Sequence, residues 1–276
     1  MAFKNYNIHS ITDWIANCVS DICLWMEQNK LKLNEEETDT LLIHYKFQNS
    51  PSLDEIILGN EQLTMAGIVT NLGIIFDKEI LFNDHINQLC RTFILGNLFK
   101  ICKYLTDDAT SKVVHAFVTT KLDYCSHLYF GLSKNQVNKM QRVQNTVAQL
   151  VTCSSKYDHI TPWLQQLHWL PVLYCVVFKI LLLVYKARHG LCPGYVSELL
   201  QERKSSRALR SSSLGLLATP TSRTNSYGDR TFSVCAPKLW NCLSNHVRYV
   251  GTLPLFKKNL KTYLFSIFID SYCVRF

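Results

Sequence analysis

Several motifs that identify common enzymes are absent from these 276 residues. The chain has no Gly-x-x-x-x-Gly-Lys phosphate loop and no Gly-x-Gly-x-x-Gly dinucleotide fingerprint. It also has no His-Glu-x-x-His zinc motif and no Gly-x-Ser-x-Gly nucleophile elbow. The sequence therefore gives no support to a P-loop nucleotidase, a Rossmann dehydrogenase, a zinc protease or an α/β-hydrolase.

Paired cysteines and long apolar runs are missing as well. The 11 cysteines include no Cys-x-x-Cys pair, which argues against a zinc module, and no signal peptide opens the chain. We therefore expect reduced thiols, no bound metal and an intracellular protein of the nucleus or cytoplasm. The most apolar stretch runs only from Val172 to Tyr185 and contains Lys179, whereas a membrane span needs roughly 20 apolar residues. We expect no membrane partner.

Acidic residues are scarce in the C-terminal part of the chain. Residues 1–60 hold 4 Lys/Arg and 9 Asp/Glu, a balance of −5, whereas residues 201–276 hold 12 and 3, a balance of +9. Residues 61–200 have an intermediate balance of +4, with 13 Lys/Arg and 9 Asp/Glu. A basic region of this size favours a polyanionic partner such as the RNA or DNA backbone. An ordinary solvated basic surface is the alternative.

The N-terminal third has the periodicity of one helix followed by short strands. Apolar residues at helical spacing predict a helix over residues 8–29. Strands are predicted at 41–43 and 72–76, and a hairpin is predicted where Gly59-Asn60 separates residues 56–58 from 61–63. The period changes to helical from about Asn83. We therefore predict an α+β fold, with a small helix-and-antiparallel-strand block, a mainly helical bundle and a small C-terminal α/β region.

Helix boundary signals divide the helical part further. One helical face is predicted over residues 114–129, with Gly131 as its cap. Ser133 and Gln136 form a capping-box pattern before the next helix, and Pro171 and Gly190 mark the ends of another. Further helices are predicted after Pro193, around Trp240 and after Pro254. We assign the Trp240 side chain to the core. We predict divisions at 1–80, 81–200, a Ser/Arg-rich connection at 201–230, and 231–276.

The acidic pair Asp107-Asp108 resembles a polymerase signature only superficially. It lies between two helical patterns, where acidic residues suit a helix N-terminus, whereas polymerase metals need carboxylates on neighbouring strands. His115 and His168 are predicted to pack or to form hydrogen bonds. We therefore predict no catalytic residue, no metal ligand and no cofactor.

Basic side chains give the better positive signal. Three share the polar side of the helix that follows Ser133, and the others lie in or just after the Ser/Arg-rich connection. Arginine and lysine in such positions suit phosphate oxygens. The predicted nucleic-acid-binding residues are Lys134, Lys139, Arg142, Arg207, Arg210, Arg223, Arg230 and Lys238.

Seven phrases occur in an order that resembles one family. They lie at residues 25–34 (WMEQNKLKLN), 71–77 (NLGIIFD), 121–125 (KLDYC), 157–162 (YDHITP), 167–171 (LHWLP), 227–232 (YGDRTF) and 236–241 (APKLWN). Together they resemble the C-terminal part of the reverse transcriptase of LINE-type, jockey-like non-LTR retrotransposons. The resemblance extends from about Ile8 to about Phe265.

The resemblance implies a truncated RNA-directed DNA polymerase. Residues 1–80 would be the end of its palm, residues 81–200 its thumb and the remainder its C-terminal region. Leu72 and Gly73 would lie at a primer-grip-like position. The catalytic aspartates and their Mg²⁺ would belong to palm segments upstream of the matched region, which are the implied partner of residues 1–80. Without them, an apolar face of the first helix, with Trp14 and Trp25, should be exposed. The alternative is a non-enzymatic nucleic-acid-binding or protein-interaction module derived from a mobile element.

Overall fold

The computed structural model describes residues 8–34, 38–43, 55–58, 61–92, 100–102, 104–203, 215–222, 224 and 227–273. In these residues the fold is α+β and mostly helical, with a few short strands. The chain forms two compact units, Met1–Gln88 and Leu89–Phe276. The four divisions made from the sequence stay predictions.

Helix α1 (Ile8–Gln28) confirms the first predicted helix and contacts strand β2 (Glu55–Leu58). Trp14 and Trp25 on α1 are 50% and 58% exposed. The two positions lie only about 20° apart around the helix axis, because 11 residues make just over three whole turns. The expected exposed apolar face is therefore present.

Three strands form the first sheet of this unit. Strand β2 pairs antiparallel with β3 (Glu61–Ala66), and Leu58 lies opposite Glu61. The predicted hairpin is confirmed, although its turn at residues 59–60 lies outside the described residues. Strand β1 (Thr40–Leu41) is shorter than predicted and runs parallel to β3. The expectation of purely antiparallel strands is therefore wrong at β1.

A second hairpin replaces the single strand predicted at residues 72–76. Strand β4 (Ile68–Asn71) pairs antiparallel with β5 (Ile74–Asp77), and Asn71 lies opposite Ile74. Leu72 and Gly73 form the two-residue turn, with φ values of 49° and 78°. Positive φ at both central positions is the backbone that matches the twist of a tight hairpin. The turn was not predicted because Leu72 carries no turn signal of its own.

The segment after β5 is organised around the Asp77 carboxylate. Asp77 Oδ1 accepts hydrogen bonds from the backbone N–H groups of Glu79 and Leu81 at 3.0 and 2.9 Å. Asp77 Oδ2 accepts one from Phe82 N at 2.7 Å. Helix α2 (Asn83–Thr92) follows directly. The carboxylate thus fixes the path from the hairpin to the helix.

One helix of the second unit changes its winding along its length. Helix α3 (Asp107–Val114) continues into a π-helical turn (His115–Thr119) and a short helix α4 (Thr120–Asp123). The chain then breaks at Cys125, whose φ is 49°, before a 3₁₀ turn (Ser126–Tyr129). The single continuous face predicted over residues 114–129 is therefore wrong. Gly131 does adopt positive φ, at 70°.

Two long helices confirm the boundary signals. Helix α5 (Lys134–Val151) begins with a complete capping box, in which Ser133 and Gln136 bond reciprocally. After the short helix α6 (Ile160–Gln166), which was not predicted from the sequence, helix α7 (Val172–Arg188) begins at Pro171. Helix α7 contacts α5 and the 3₁₀ turn. It is the central helix of this unit.

The C-terminal part is formed by the helices α8 (Gly194–Glu198), α9 (Phe232–Asn241), α10 (Asn245–Arg248) and α11 (Leu253–Cys273). Helices α8, α9 and α11 contact α7, and α10 contacts α11. Trp240 is fully buried, which confirms its assignment to the core. Residues 227–273 contain no strand, so the α/β component predicted for this region is wrong there. No helix in the described ranges combines the length and the apolar composition that a membrane crossing requires.

Part of the Ser/Arg-rich connection is well packed. Leu217 is buried, and its backbone N–H and C=O form hydrogen bonds of 2.9 and 2.8 Å with the side-chain amide of Asn241. Arg203 N and Ala218 N donate across an isolated bridge to Leu216 O and Gln201 O. The segment 215–218 is thus an ordered connection and not a free linker.

Candidate functional site

Helix α5 carries three of the predicted basic residues. Lys134 and Arg142 are exposed and form no ion pair with a carboxylate in the described residues. Their positions are about 80° apart around the helix and about 12 Å apart along it. Lys139 is half-buried and lies close enough to Cys90 to affect it. Burial raises the pKa of the Cys90 thiol, and the positive charge of Lys139 opposes this rise.

Two other predicted residues are engaged within the protein. Arg230 Nε donates to Phe130 O at 3.0 Å, and Arg230 Nη2 donates to Leu128 O at 3.5 Å. Lys238 Nζ forms an ion pair with Asp229 Oδ1 at 2.8 Å. The guanidinium of Arg230 therefore links its own segment to the backbone of residues 128–130. The charge of Lys238 is compensated by Asp229. Arg207, Arg210 and Arg223 lie outside the described residues.

Helix α11 carries a basic face that was not predicted from the sequence. Lys257, Lys258 and Lys261 are exposed, and none pairs with a carboxylate in the part of the chain that the structure describes. Their spacing places all three within an arc of about 100° around the helix. Burial, and next the negative charge of Asp123, raise the pKa of the Cys175 thiol to about 12, whereas the positive charges of Lys179 and Lys261 act to lower it. The sequence signal was present as two adjacent lysines and a third one turn later.

The acidic pair of the second unit is a helix start. Thr106 Oγ1 accepts a hydrogen bond from Ala109 N, and Asp107 and Asp108 occupy the first turn of α3. Asp108 also forms an ion pair with Lys112. This confirms the capping assignment. These carboxylates do not fit the paired Mg²⁺ ions of a polymerase, because neither lies on a strand. The described residues contain no group of three His, Cys, Asp or Glu side chains that would hold a metal.

A second charged pair lies beside the break at Cys125. Lys179 Nζ on α7 donates to the carboxylate of Asp123 and, at 3.0 Å, to Asp123 O. Partial desolvation, and next the positive charge of Lys179, lower the pKa of His127. The ion pair thus ties helix α4 to helix α7 across 56 residues of sequence.

The predicted primer-grip-like residues lie in the first unit. Leu72 and Gly73 form the tip of the β4–β5 hairpin, and Leu72 is 82% exposed. An exposed apolar side chain at a hairpin tip is available for contact. The sequence predicted a strand here, whereas the structure has a hairpin turn. The primer-grip-like role of these two residues stays a prediction.

None of the family models, curated proteins or solved structures compared with this chain matches it. Its function is therefore inferred from the described side chains and from the ordered phrases in the sequence.

Proposed function

We propose that this chain is a fragment of a retrotransposon reverse transcriptase that binds the RNA or DNA backbone and does not polymerise on its own. In this proposal the first unit derives from the end of a palm, and the helical second unit derives from a thumb and C-terminal region. The observation that carries nucleic-acid binding is the set of exposed basic side chains on α5 and α11 that pair with no carboxylate among the described residues. Members of this set are Lys134, Arg142, Lys257, Lys258 and Lys261.

The chemistry of these residues favours backbone contact over sequence readout. Lysine and arginine at helix surfaces neutralise phosphates and release counterions, whatever the base sequence. A duplex carries one charge per about 1.7 Å of its axis, so the roughly 12 Å between Lys134 and Arg142 spans several phosphates. Binding should therefore weaken steeply with salt and depend little on sequence.

The proposed lack of polymerase activity rests on the acidic residues of this chain. The one adjacent aspartate pair, Asp107-Asp108, is used to start helix α3. Primer extension with Mg²⁺ or Mn²⁺ tests this part of the proposal. We expect no template-dependent incorporation, and incorporation by this chain alone would overturn it.

Charge removal with a matched control tests the proposed interface. The variant K257Q/K258Q/K261Q removes three uncompensated charges from α11, and K134Q/R142Q removes two from α5. The control K112Q removes a charge that is already paired with Asp108. For the first two variants we expect weaker binding, and a salt dependence that is shallower by roughly 0.9 for each phosphate that is no longer neutralised. K112Q should bind like wild type. Equal binding by all three variants would reject these faces as the interface.

A protein-interaction role is the second candidate, and the exposed tryptophans of α1 favour it. Trp14 and Trp25 present a shared apolar face that a soluble surface seldom leaves open. In the proposed origin this face would meet upstream palm segments. The variant W14Q/W25Q should reduce self-association in sedimentation velocity. If wild type and variant sediment identically as monomers at high concentration, the face has no affinity for a second copy. In that case the interaction role requires that a separately added palm polypeptide binds the wild-type chain and does not bind W14Q/W25Q.

A further inference from the structure

The second unit contains a mostly apolar cavity beside the break at Cys125. Its empty volume is about 450 Å³, a part of which opens to solvent. The apolar lining comes from the π-helical turn, α4, α5, α7 and the segment before α7. The residues that provide it are Val118, Leu122, Val147, Trp169 and Val172. An apolar lining with a few polar side chains is typical of sites for small organic molecules.

One buried polar atom of this lining has no partner. Ser126 is 2% exposed and lines the cavity, and its Oγ forms no hydrogen bond within the described residues. A serine hydroxyl can donate one hydrogen bond and accept two. Leaving it buried and unsatisfied costs free energy, so native structures seldom do so without a reason.

Three other polar side chains of the lining already have hydrogen-bond or ion-pair partners. Gln144 Nε2 donates to Leu170 O at 2.9 Å, and Gln144 Oε1 accepts from Gln141 at 2.9 Å. Cys175 Sγ donates to Leu170 O at 3.1 Å. The carboxylate of Asp123 is paired with Lys179. Among the described residues, the lining therefore offers one buried side chain that is open to hydrogen bonding, with no uncompensated charge.

Irregular backbone places Ser126 at this position. The π-helical turn at His115–Thr119 contributes Val118, and Cys125 holds positive φ immediately before Ser126. Positive φ is unfavourable for a residue with a Cβ atom, and π-helical turns occur often at functional sites. Both irregularities border the same cavity. Their position is the reason to look for a ligand here.

We propose that this cavity binds a small, uncharged aromatic molecule with one hydroxyl group. Its ring lies against Trp169 and Val172, and its hydroxyl forms a hydrogen bond with Ser126 Oγ. An uncharged ligand is required because the apolar lining offers no counter-charge. This site uses residues different from those of the proposed nucleic-acid interface, which consists of exposed lysines and arginines.

A matched pair of probes tests the proposal. 4-Fluorophenol and fluorobenzene differ only in the hydroxyl, and ¹⁹F NMR of the full chain measures the affinity for each. We expect wild type to bind 4-fluorophenol more tightly than fluorobenzene by about 2- to 10-fold, the range for one net hydrogen bond. S126A should lose this preference and retain its affinity for fluorobenzene. L122F, which fills the cavity from a half-buried position, should weaken the binding of both probes.

The contrary outcomes are equally specific. If wild type binds neither probe at millimolar concentration, or if S126A keeps the preference, the proposal is overturned. Amide chemical-shift mapping on wild type gives a reading that does not depend on whether the variants fold. Shifts caused by 4-fluorophenol at residues 118–126 and 169–175 support the site. Shifts confined to other residues overturn it.

Discussion

The clearest test of the structure is to separate two arginines that the sequence treats alike. Arg142 and Arg230 were both predicted to contact phosphate. In the structure Arg142 is exposed without an ion pair to a described carboxylate, whereas Arg230 donates to Phe130 O and Leu128 O. The Arg230 side chain also passes close over Gly131, where an added Cβ would lie 2.5 Å from its Cγ. We therefore expect Arg230 to matter for stability and Arg142 for binding.

The loss of stability expected for R230M can be worked out from these contacts. Methionine keeps most of the aliphatic stem and loses both hydrogen bonds, one of good length and one long. Bonds from a charged donor contribute about 1.5–3 kcal/mol each when well formed, and the long one contributes less. With a half-buried guanidinium, we expect R230M to lose about 2 kcal/mol in the free energy of unfolding. At this size of unit, that lowers the melting temperature by roughly 4–8 °C.

Thermal and urea unfolding by circular dichroism measure the loss. R142M is the matched control, because the same substitution at an exposed position should change stability by less than about 0.5 kcal/mol. R230K should fall between wild type and R230M, since one ammonium cannot reach both carbonyls as the planar guanidinium does. If R230M is as stable as R142M, the guanidinium is not held by these carbonyls and the reasoning fails.

Three further substitutions test local features. S133A removes the capping box of α5 and should lower the free energy of unfolding in urea by about 1 kcal/mol. The control N135A, at an exposed position in the same first turn, should cost clearly less. Equal losses would contradict the cap. D77N leaves an amide nitrogen where a carboxylate oxygen accepts a backbone N–H, and should cost about 1–2 kcal/mol; unchanged amide exchange at Phe82 would contradict this. Burial lowers the pKa of His85, which accepts from Ile75 N at 3.4 Å, so the unfolded chain binds the proton more tightly. Stability of wild type should therefore fall as the pH drops below about 6.5, whereas H85N should lack this loss, and parallel pH profiles would refute the assignment.

Regular periodicity made most helices and one hairpin predictable. Helices α1, α5 and α7 have apolar residues at helical spacing and clear boundary residues, such as Ser133 and Pro171. The β2–β3 hairpin was predictable because Gly59-Asn60 separates two apolar stretches. In each case local preference and tertiary packing favour the same conformation.

The failures occur where packing overrides local preference. Residues 114–129 have a continuous helical pattern, yet the chain winds into a π turn and the helix then breaks before Cys125, which has positive φ. The pattern of apolar residues does not encode that break. It is accompanied by the Asp123–Lys179 ion pair, whose partners are 56 residues apart in sequence. A contact over that distance is invisible to periodicity.

The candidate interface was predictable only in part. Lys134 and Arg142 were assigned from the polar side of one helix, and both are exposed. Arg230 carries the same residue type in a loop-rich sequence, and only the fold shows that carbonyls of residues 128–130 occupy it. Residue type alone cannot separate a structural arginine from a phosphate-binding one. The α11 lysines were visible in the sequence and were overlooked.

The salt dependence of nucleic-acid binding tests the central claim most directly. Fluorescence anisotropy with a labelled RNA–DNA duplex and the full chain, between about 50 and 200 mM salt, measures the affinity. If about four of the exposed basic side chains contact phosphates, the affinity should fall on the order of 100-fold over this range. Duplexes of different base sequence should give the same curve. An affinity that does not change with salt, or no binding at the lowest salt, would contradict the proposed function.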